Sequence, residues 1–299
     1  MLLLLACASP TSDSGVAEGD VEEGPLVPLF TFAIVADPHV TTPGVNADRL
    51  AQALDWIDTN REAQDIQLVI VVGDIGWGDE GLALSHDLLA SLTVPWVPIL
   101  GDNEIQYGSE EGFDTTYAEH FATLGATLEN FRRGSTPVDN PEYGVPSWFQ
   151  DLSFDFRGVH FIGLDWCSRE IGTIYGEMAD LHQFAGGTWG WLEADLAELG
   201  EGPIDRVVLA SHNPMHLSPG AFDLAEIDTL DALLAAYDDA LYANFAGHYH
   251  ATGEDPPSDR PIGVYVTDAT WDDELSIRLV AVSGNDARIT YEHTLVTIE

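Results

Sequence analysis

Short apolar segments that stop abruptly at charged or polar residues are the main pattern of this chain. Nearly continuous apolar runs of this length are typical of strands buried on both faces of a sheet. Each run is followed at once, or after a glycine or a serine, by Asp or His. The pattern predicts five strands: Phe30–Ala36, Ile66–Val72, Val94–Leu100, Arg206–Ala210 and Leu241–Ala246.

Amphipathic segments lie between and after these runs, and they predict helices. The predicted helices are Asp48–Asn60, Gly81–Leu92, Trp189–Leu199 and Ile227–Tyr237. Strands that alternate with helices predict an α/β sheet sandwich. In such folds ligands bind beyond the carboxyl ends of the strands, so the residues that follow the five apolar runs are the first place to look for chemistry.

Those residues are rich in carboxylates and imidazoles. Any one of them fits a turn or a helix cap, but turns do not explain five such positions at the same edge. The candidate metal ligands are Asp37, His39, Asp74, Asp102, His212, His248 and His250. Imidazole with carboxylate, without sulfur, suits Mn²⁺, Zn²⁺ or Fe²⁺. Seven ligands exceed the need of one tetrahedral ion, so we expect two divalent ions that share a bridging carboxylate.

The spacing within two of the blocks adds an expectation about pairing. Side chains two residues apart in an extended strand end point to the same side. On this argument Asp37 and His39 bind one ion together, and so do His248 and His250.

The order of these blocks resembles the calcineurin-like metallophosphoesterase superfamily. The matching blocks are Asp37-Pro38-His39, Gly73-Asp74, His212 and Gly247-His248-Tyr249-His250, with Asp155–Asp165 similar to its mid-chain strand pair and Trp191–Glu193 to its next helix. Over residues 29–270 the resemblance implies a mixed-sheet αββα sandwich with the metal site at the carboxyl ends of the strands. It also implies ligand roles: Asp37, His39 and His250 for one metal, His212 and His248 for the other, and Asp74 for both.

The third block, Gly101–Glu104, departs from the family pattern of Gly-Asn-His followed by Asp or Glu. Either Asp102 replaces the Asn ligand and Asn103 the His that serves the leaving group, or a one-residue shift makes Asn103 the ligand. An Asn cannot donate a proton at neutral pH, so the general acid is the altered part. We expect catalytic roles for Asn103, for Glu104 as a residue that orients a ligand, and for His216 near the phosphate.

The activity that the resemblance implies is dinuclear metal-dependent hydrolysis of a phosphomonoester or phosphodiester by a metal-bound hydroxide. Two alternatives are a catalytically degenerate metal-binding surface protein and a hydrolase of a phosphoanhydride or a phospholipid head group. The resemblance does not extend to purple acid phosphatases, because Trp77 stands where those enzymes have a tyrosine ligand. An adhesive or structural surface protein does not explain the five ligand blocks.

The net charge of the chain limits the classes of molecule that it can bind. The chain has 51 Asp and Glu against 10 Lys and Arg, a formal charge of −41. Binding to a nucleic-acid backbone depends on Lys and Arg, so nucleic acid is excluded as a main partner. We expect a small-molecule phosphate ester as substrate, with two metal ions supplying the positive charge. No segment indicates an oligomeric state.

The chain divides into three predicted parts. Residues 1–7 resemble a partial signal with a lipoprotein cleavage box, Leu4–Cys7, in which Cys7 is lipidated; the alternative is a Leu-rich start by chance. The first interpretation predicts an exported, membrane-anchored bacterial lipoprotein. Residues 8–28 are a predicted disordered acidic linker, and residues 29–299 the catalytic domain. Within it, residues 107–148 are either a substrate-selecting insertion or an ordinary surface segment.

Several other residues are predicted to be structural. Trp166, Trp189 and Trp271 are expected to pack in the interior. Cys167 is expected to be an inert buried thiol, and His160 an ordinary residue of a strand.

Overall fold

Apolar segments form the strands of the computed structural model, which describes residues 24–106, 110–134, 136–169, 178–217, 222, 224–257, 260–272 and 274–299. The strands are β1 Val27–Val35, β2 Ile66–Val72, β3 Trp96–Ile99, β4 Glu129–Arg133, β5 Val138–Asp139, β6 Pro146–Ser147, β7 Leu152–Phe156, β8 Val159–Leu164, β9 Val207–Ser211, β10 Leu241–Ala246, β11 Gly253–Asp255, β12 Gly263–Val266, β13 Ser276–Gly284 and β14 Ile289–Thr297. The helices are α1 Val45–Asn60, α2 Gly78–Leu89, α3 Asp102–Ile105, α4 Glu110–Thr127, α5 Trp189–Ala197 and α6 Leu224–Leu234.

Two mixed sheets organise these elements. The first has the order β14-β13-β1-β2-β3, and the second the order β11-β12-β10-β9-β8-β7-β4. Strands β1, β2 and β3 run parallel to one another in the first sheet. Strands β8, β9, β10 and β12 run parallel in the second. The remaining pairings within the two sheets are antiparallel.

The two sheets pack face to face around aromatic side chains. Phe32 of β1 contacts Phe161 of β8 and Phe245 of β10 edge to face, with ring centroids 5.4 and 5.5 Å apart. Helices α1, α2 and α4 bury their apolar residues in the core cluster that contains the first sheet. Helices α5 and α6 pack in a second cluster with β8, β9, β10 and β12. This arrangement confirms the predicted mixed-sheet αββα sandwich.

The predicted elements are present, with shifts at their ends. Strands β2 and β10 have the predicted bounds, and the predicted pair at residues 155–165 forms the hairpin β7–β8. Helix α2 begins three residues earlier than predicted, and its first turn carries Asp79 and Glu80. Carboxylates there interact favourably with the helix dipole, a signal that the apolar pattern alone does not contain.

The segment 107–148 belongs largely to the body of the domain. Its helix α4 buries Phe113, Tyr117 and Phe121 in the main core, and its strand β4 pairs with β7 at the edge of the second sheet. The described residues of this segment therefore contribute to a helical layer and to a sheet edge, and the selection of substrate by this segment stays a prediction.

Only some of the predictions for the amino-terminal residues can be compared with the structure. Cys7 and residues 1–23 lie outside the described residues, so the lipid anchor stays a prediction. Residues 27 and 28, assigned to the linker from the sequence, are the first residues of β1, where they pair with Gly284 and Ser283. Among the described helices, none has both the length and the apolar character needed to cross a bilayer.

Candidate metal centre

The carboxylates and imidazoles that follow the strands meet at one end of the sandwich. They form two groups, within each of which one ligand atom per residue lies within 4.8 Å of the others. The first group is Asp37, His39, Asp74 and His250, and the second is Asp102, His212 and His248. Each group takes ligands from both sheets, since the loops after β1, β2 and β3 face those after β9 and β10.

The first group converges on the outer nitrogens of two imidazoles. His39 Nε2 lies 3.0 Å from His250 Nε2 and 3.3 Å from Asp74 Oδ2. Asp37 Oδ1 is 3.8 Å from His250 Nε2. Contacts between two imidazole nitrogens at this distance indicate donors that face a common point, as metal ligands do.

In the second group the donor atoms lie closer together than in the first. His212 Nε2 lies 2.8 Å from Asp102 Oδ1, and His248 Nδ1 lies 3.1 Å from His212 Nε2 and 3.3 Å from Asp102 Oδ1. Asp74 connects the groups, because its Oδ1 is 3.3 Å from His212 Nε2 while its Oδ2 faces His39. This is the position that a bridging carboxylate requires.

The backbone explains the grouping and corrects one expectation. Asp37, His39, Asp74, His248 and His250 all have φ between 47° and 73°, in the left-handed region that non-glycine residues rarely adopt. The strand ends are therefore not extended, and the argument from alternation is wrong for His248 and His250, which lie in different groups. Asp37 and His39 do share a group. Strained backbone of this kind concentrates at functional sites.

Two glycines make room for these turns. A Cβ on Gly73, whose own φ is +79°, would lie 2.5 Å from His212 Nδ1. A Cβ on Gly247 would lie 2.4 Å from Asp37 Oδ2. Any larger residue at either position would displace a ligand, which gives the Gly-Asp and Gly-His blocks a steric reason.

Hydrogen bonds behind the ligands hold them in place. Glu104, fully buried, accepts from the backbone N–H groups of Asp74, Gly76 and Gly101 at 2.8–3.0 Å, and so ties the β2 loop to the β3 loop. His212 Nδ1 lies 3.0 Å from the carbonyl oxygen of Val72. A proton on Nδ1, donated to that carbonyl, leaves Nε2 as the ligand atom.

In the third block, which departs from the family pattern, the structure places Asp102 and Asn103 beside different ligand groups. The side chain of Asp102 lies in the second group, as the first of the two alignments expects. Asn103 lies beside the first group: its backbone N–H donates to Asp74 Oδ1 at 2.9 Å, and its amide nitrogen is 2.9 Å from His39 Nδ1. Asn103 therefore contacts the side of the His39 ring that faces away from the other ligands.

Burial shifts the carboxylate pKa values upward. It raises the pKa of Asp37 and of Glu104 to about 7, and that of Asp74 well above its ordinary value, with Asp102 as a further cause in each case. Asp102 itself has a lowered pKa, because hydrogen bonds from His212 and His248 outweigh its burial. Buried negative charge of this density is unfavourable unless cations compensate it.

The residues from the first strand through the Gly-His-Tyr-His block also match a known family. Residues 30–252, most of the chain, match the family described as calcineurin-like phosphoesterase. The chain belongs to the calcineurin-like phosphoesterase family.

One solved structure supports this family fold, and two more are reported for their similarity alone. A candidate 5′-nucleotidase from Staphylococcus aureus is similar with a TM-score of 0.56 and 14% identity, over 90% of this chain and 54% of that one. The sulfate thiohydrolase SoxB of Thermus thermophilus gives 0.49 and 14%, over 92% and 58%. A phosphopantetheinyl hydrolase from Mycobacterium tuberculosis gives 0.47 and 13%, over 82% and 92%. The chain thus spans little more than half of the first two proteins. No curated protein sequence matches it.

The donor set of the two groups fits divalent cations. Both groups offer carboxylate and imidazole atoms, the ligands of Mn²⁺, Zn²⁺ and Fe²⁺. The carboxylates of Asp37, Asp74 and Glu104 are buried, and in the described part of the chain none of them forms an ion pair with an Arg. The family typically uses divalent metals, and the structure has two candidate groups of metal ligands.

His216 is the one predicted catalytic residue that the fold does not bring to the two groups. Its ring is buried between Asp231 and Asp255, at 3.7 and 3.6 Å, and neither ring nitrogen has a hydrogen-bond partner among the described residues. The prediction that it reaches the phosphate is not supported by this position. The four-residue spacing from His212 misled because the intervening loop turns toward α6.

The sequence analysis did not assign two residues to the site that the structure places there. Trp271, expected to be a packing residue, has its ring 5.6 Å from His39 and 5.1 Å from His250. Arg49 of α1 binds the main chain on either side of it. A single Arg in an amphipathic helix carries no sequence signal for this contact. Cys167, in contrast, is a buried thiol with a raised pKa, as expected.

Proposed function

We propose that this chain is a two-metal phosphoesterase that hydrolyses small phosphomonoesters or phosphodiesters. The observation that carries the proposal is the convergence of two ligand groups joined by the two oxygens of Asp74. Two divalent ions bound there would neutralise the phosphate oxygens and lower the pKa of an attacking water. Asp37, His39, Asp74 and His250 would hold one ion, and Asp74, Asp102, His212 and His248 the other.

Asn103 orients the His39 ring in this proposal. Asn side-chain oxygen and nitrogen exchange positions by rotation of the amide. With the oxygen toward the ring, the Nδ1–H of His39 donates to it, and Nε2 is left unprotonated as a ligand. Glu104 acts in a comparable way on the backbone of Asp74.

Residue 103 is an asparagine where the family has a histidine that serves the leaving group. Asn103 cannot protonate a leaving group at neutral pH. We therefore propose that the enzyme favours esters whose leaving groups need little protonation, such as aryl alcohols. Alkyl esters of the same charge are expected to react more slowly.

The test uses the full chain, stripped with a chelator and reloaded with Mn²⁺ or Zn²⁺. Hydrolysis of an aryl phosphomonoester and an aryl phosphodiester is measured side by side, with Asp74→Asn as the variant and Asp79→Asn, exposed at the start of α2, as its matched control. Metal-dependent turnover that only Asp74→Asn abolishes supports the proposal and ranks the two substrate classes.

A second candidate function follows from Asn103. If the metal-loaded protein binds two ions per chain but turns over neither ester, the chain is a degenerate relative that binds metal without catalysis. Metal content by elemental analysis separates that outcome from a failure to reconstitute the protein.

A further inference from the structure

Trp271 borders the first ligand group. Its half-buried ring meets the imidazoles of His39 and His250 at steep angles of 70° and 82°. An ester whose phosphate lies at the ligand groups therefore has the indole as a neighbour on the His39 and His250 side.

The main chain around Trp271 is firmly held. Thr270 N–H donates to the carbonyl oxygen of Ala36, at the end of β1, at 3.0 Å. Arg49 Nε donates to the carbonyl of Thr270 at 2.7 Å, and its Nη2 donates to the carbonyl of Asp272. One of the few cations of the chain thus fixes the residues immediately before and after the indole.

The indole N–H does not account for this placement. It is buried and has no hydrogen-bond partner among the described residues, whereas a buried tryptophan usually finds one. The aromatic ring of Trp271, and not its N–H group, is therefore the part of the side chain that matters at this position. The ring lies next to candidate metal ligands.

Carboxylates occur in the same stretch of chain as the ring: Asp272 follows Trp271, and Asp268 accepts a hydrogen bond from the N–H of Ala269 at 2.8 Å. Asp268 and Asp272 both interact electrostatically with His250, and the exposed Glu274 is close enough to act on Asp268. The nearby guanidinium of Arg49 is engaged by main-chain carbonyls. An aromatic ring with carboxylates in the same stretch of chain is suited to binding an organic cation.

We propose that Trp271, with Asp268 and Asp272, selects phosphate esters whose alcohol part carries a quaternary ammonium group. This rests on the proposed function, because it assigns the substrate class of the same site. The cation contacts the indole and the carboxylates while the phosphate lies at the ligand groups. Such a substrate is a zwitterion, so the protein's charge of −41 repels it less than a simple phosphate ester.

The experiment compares two ligands that cannot be hydrolysed because phosphorus is bonded to carbon. They are 2-(trimethylammonio)ethylphosphonate and 3,3-dimethylbutylphosphonate, which have the same shape and differ in one cationic nitrogen. Their dissociation constants are measured by calorimetry on the full Mn²⁺-loaded chain. We expect the cationic ligand to bind about tenfold more tightly.

Variants assign that preference to the indole. Trp271→Leu is expected to bring the ratio close to one, and Trp271→Phe, which keeps a ring without the N–H, to retain part of it. Trp77→Leu, which removes an exposed tryptophan outside the two groups, is the control and keeps the ratio. Should Trp271→Leu fail to fold, Asp268→Asn decides: a lowered ratio supports the proposal and an unchanged one overturns it.

The results also separate this proposal from the proposed function. A ratio near one in the wild type, or a full ratio in Trp271→Leu, overturns the cation selectivity even if aryl esters are hydrolysed. A tenfold ratio that Trp271→Leu removes supports the selectivity even if no ester is turned over, and then only the catalytic proposal fails.

Discussion

Both ends of the sandwich join histidine to carboxylate, but with different geometry. Near the start of β8, His160 lies between two carboxylates, with Nδ1 2.5 Å from Asp155 Oδ1 and Nε2 2.8 Å from Asp195 Oδ2. Asp195 also accepts from Ser153 at 2.8 Å and from Arg132. The carboxylates lie on opposite edges of one ring, so they do not share a centre.

At the carboxyl ends of the strands, by contrast, donor atoms of several residues face common points. The His160 network also balances its charges, whereas the ligand groups bury carboxylates with raised pKa values. The comparison shows that composition does not distinguish a structural ion pair from a metal centre. A metal centre is distinguished by donor atoms that converge on common points and by buried carboxylates that have no Arg partner among the described residues.

The largest expected difference between the ligand groups and the His160 network is their response to added metal. Mn²⁺ or Zn²⁺ is expected to raise the melting temperature of the wild type, because a ligand that binds only the folded state stabilises it. Asp74→Asn should lose most of this shift, together with at least about a hundredfold in kcat/KM. His160→Gln should keep the full shift, measured by calorimetry; a loss there would show that the ends are not independent.

Asn103 variants should have the next largest effect. Asn103→Ala removes the group that orients His39, and we expect metal affinity to fall roughly tenfold to a hundredfold. Asn103→His is expected to raise the rate with alkyl esters relative to aryl esters, since it restores a proton donor. Equilibrium dialysis measures the first and paired assays the second. Unchanged metal affinity in Asn103→Ala would contradict the orienting role.

The His160 network predicts a pH-dependent stability. Although burial opposes it, the hydrogen bonds that the ring donates to Asp195 and Asp155 raise the pKa of His160 above its ordinary value of 6.5. The stabilisation is therefore fully present below about pH 6.5, while the carboxylates stay ionised, and is lost as the pH rises through the folded-state pKa. His160→Gln should cost about 1–2 kcal/mol at pH 5.5–6 and less at pH 8.5, measured by urea unfolding. A cost independent of pH would contradict the network.

The sequence predicted the sandwich and the identity of the candidate ligands because both depend on local patterns. Apolar runs end where Asp74 and His212 begin their loops, and the order of the blocks follows the chain. The grouping that the family resemblance implies agrees with the two observed groups. The argument from strand alternation placed His248 and His250 together, because the left-handed backbone at these residues has no reliable local signal. The contact between Arg49 and the residues around Trp271 depends on long-range packing of α1, which the pattern of one helix does not contain.

The smallest predicted effect concerns His216, which the sequence placed near the phosphate and the fold places between Asp231 and Asp255. His216→Gln should change kcat/KM for an aryl ester by less than about twofold, because among the described residues its ring faces Asp231 and Asp255 and forms no ion pair with either ligand group. Loss of a buried ring should still lower the unfolding free energy by about 1–2 kcal/mol. Activity and urea unfolding on the same preparation separate the two. A tenfold fall in kcat/KM with unchanged stability would return His216 to the catalytic residues and remove the distinction drawn between them and the rest of the fold.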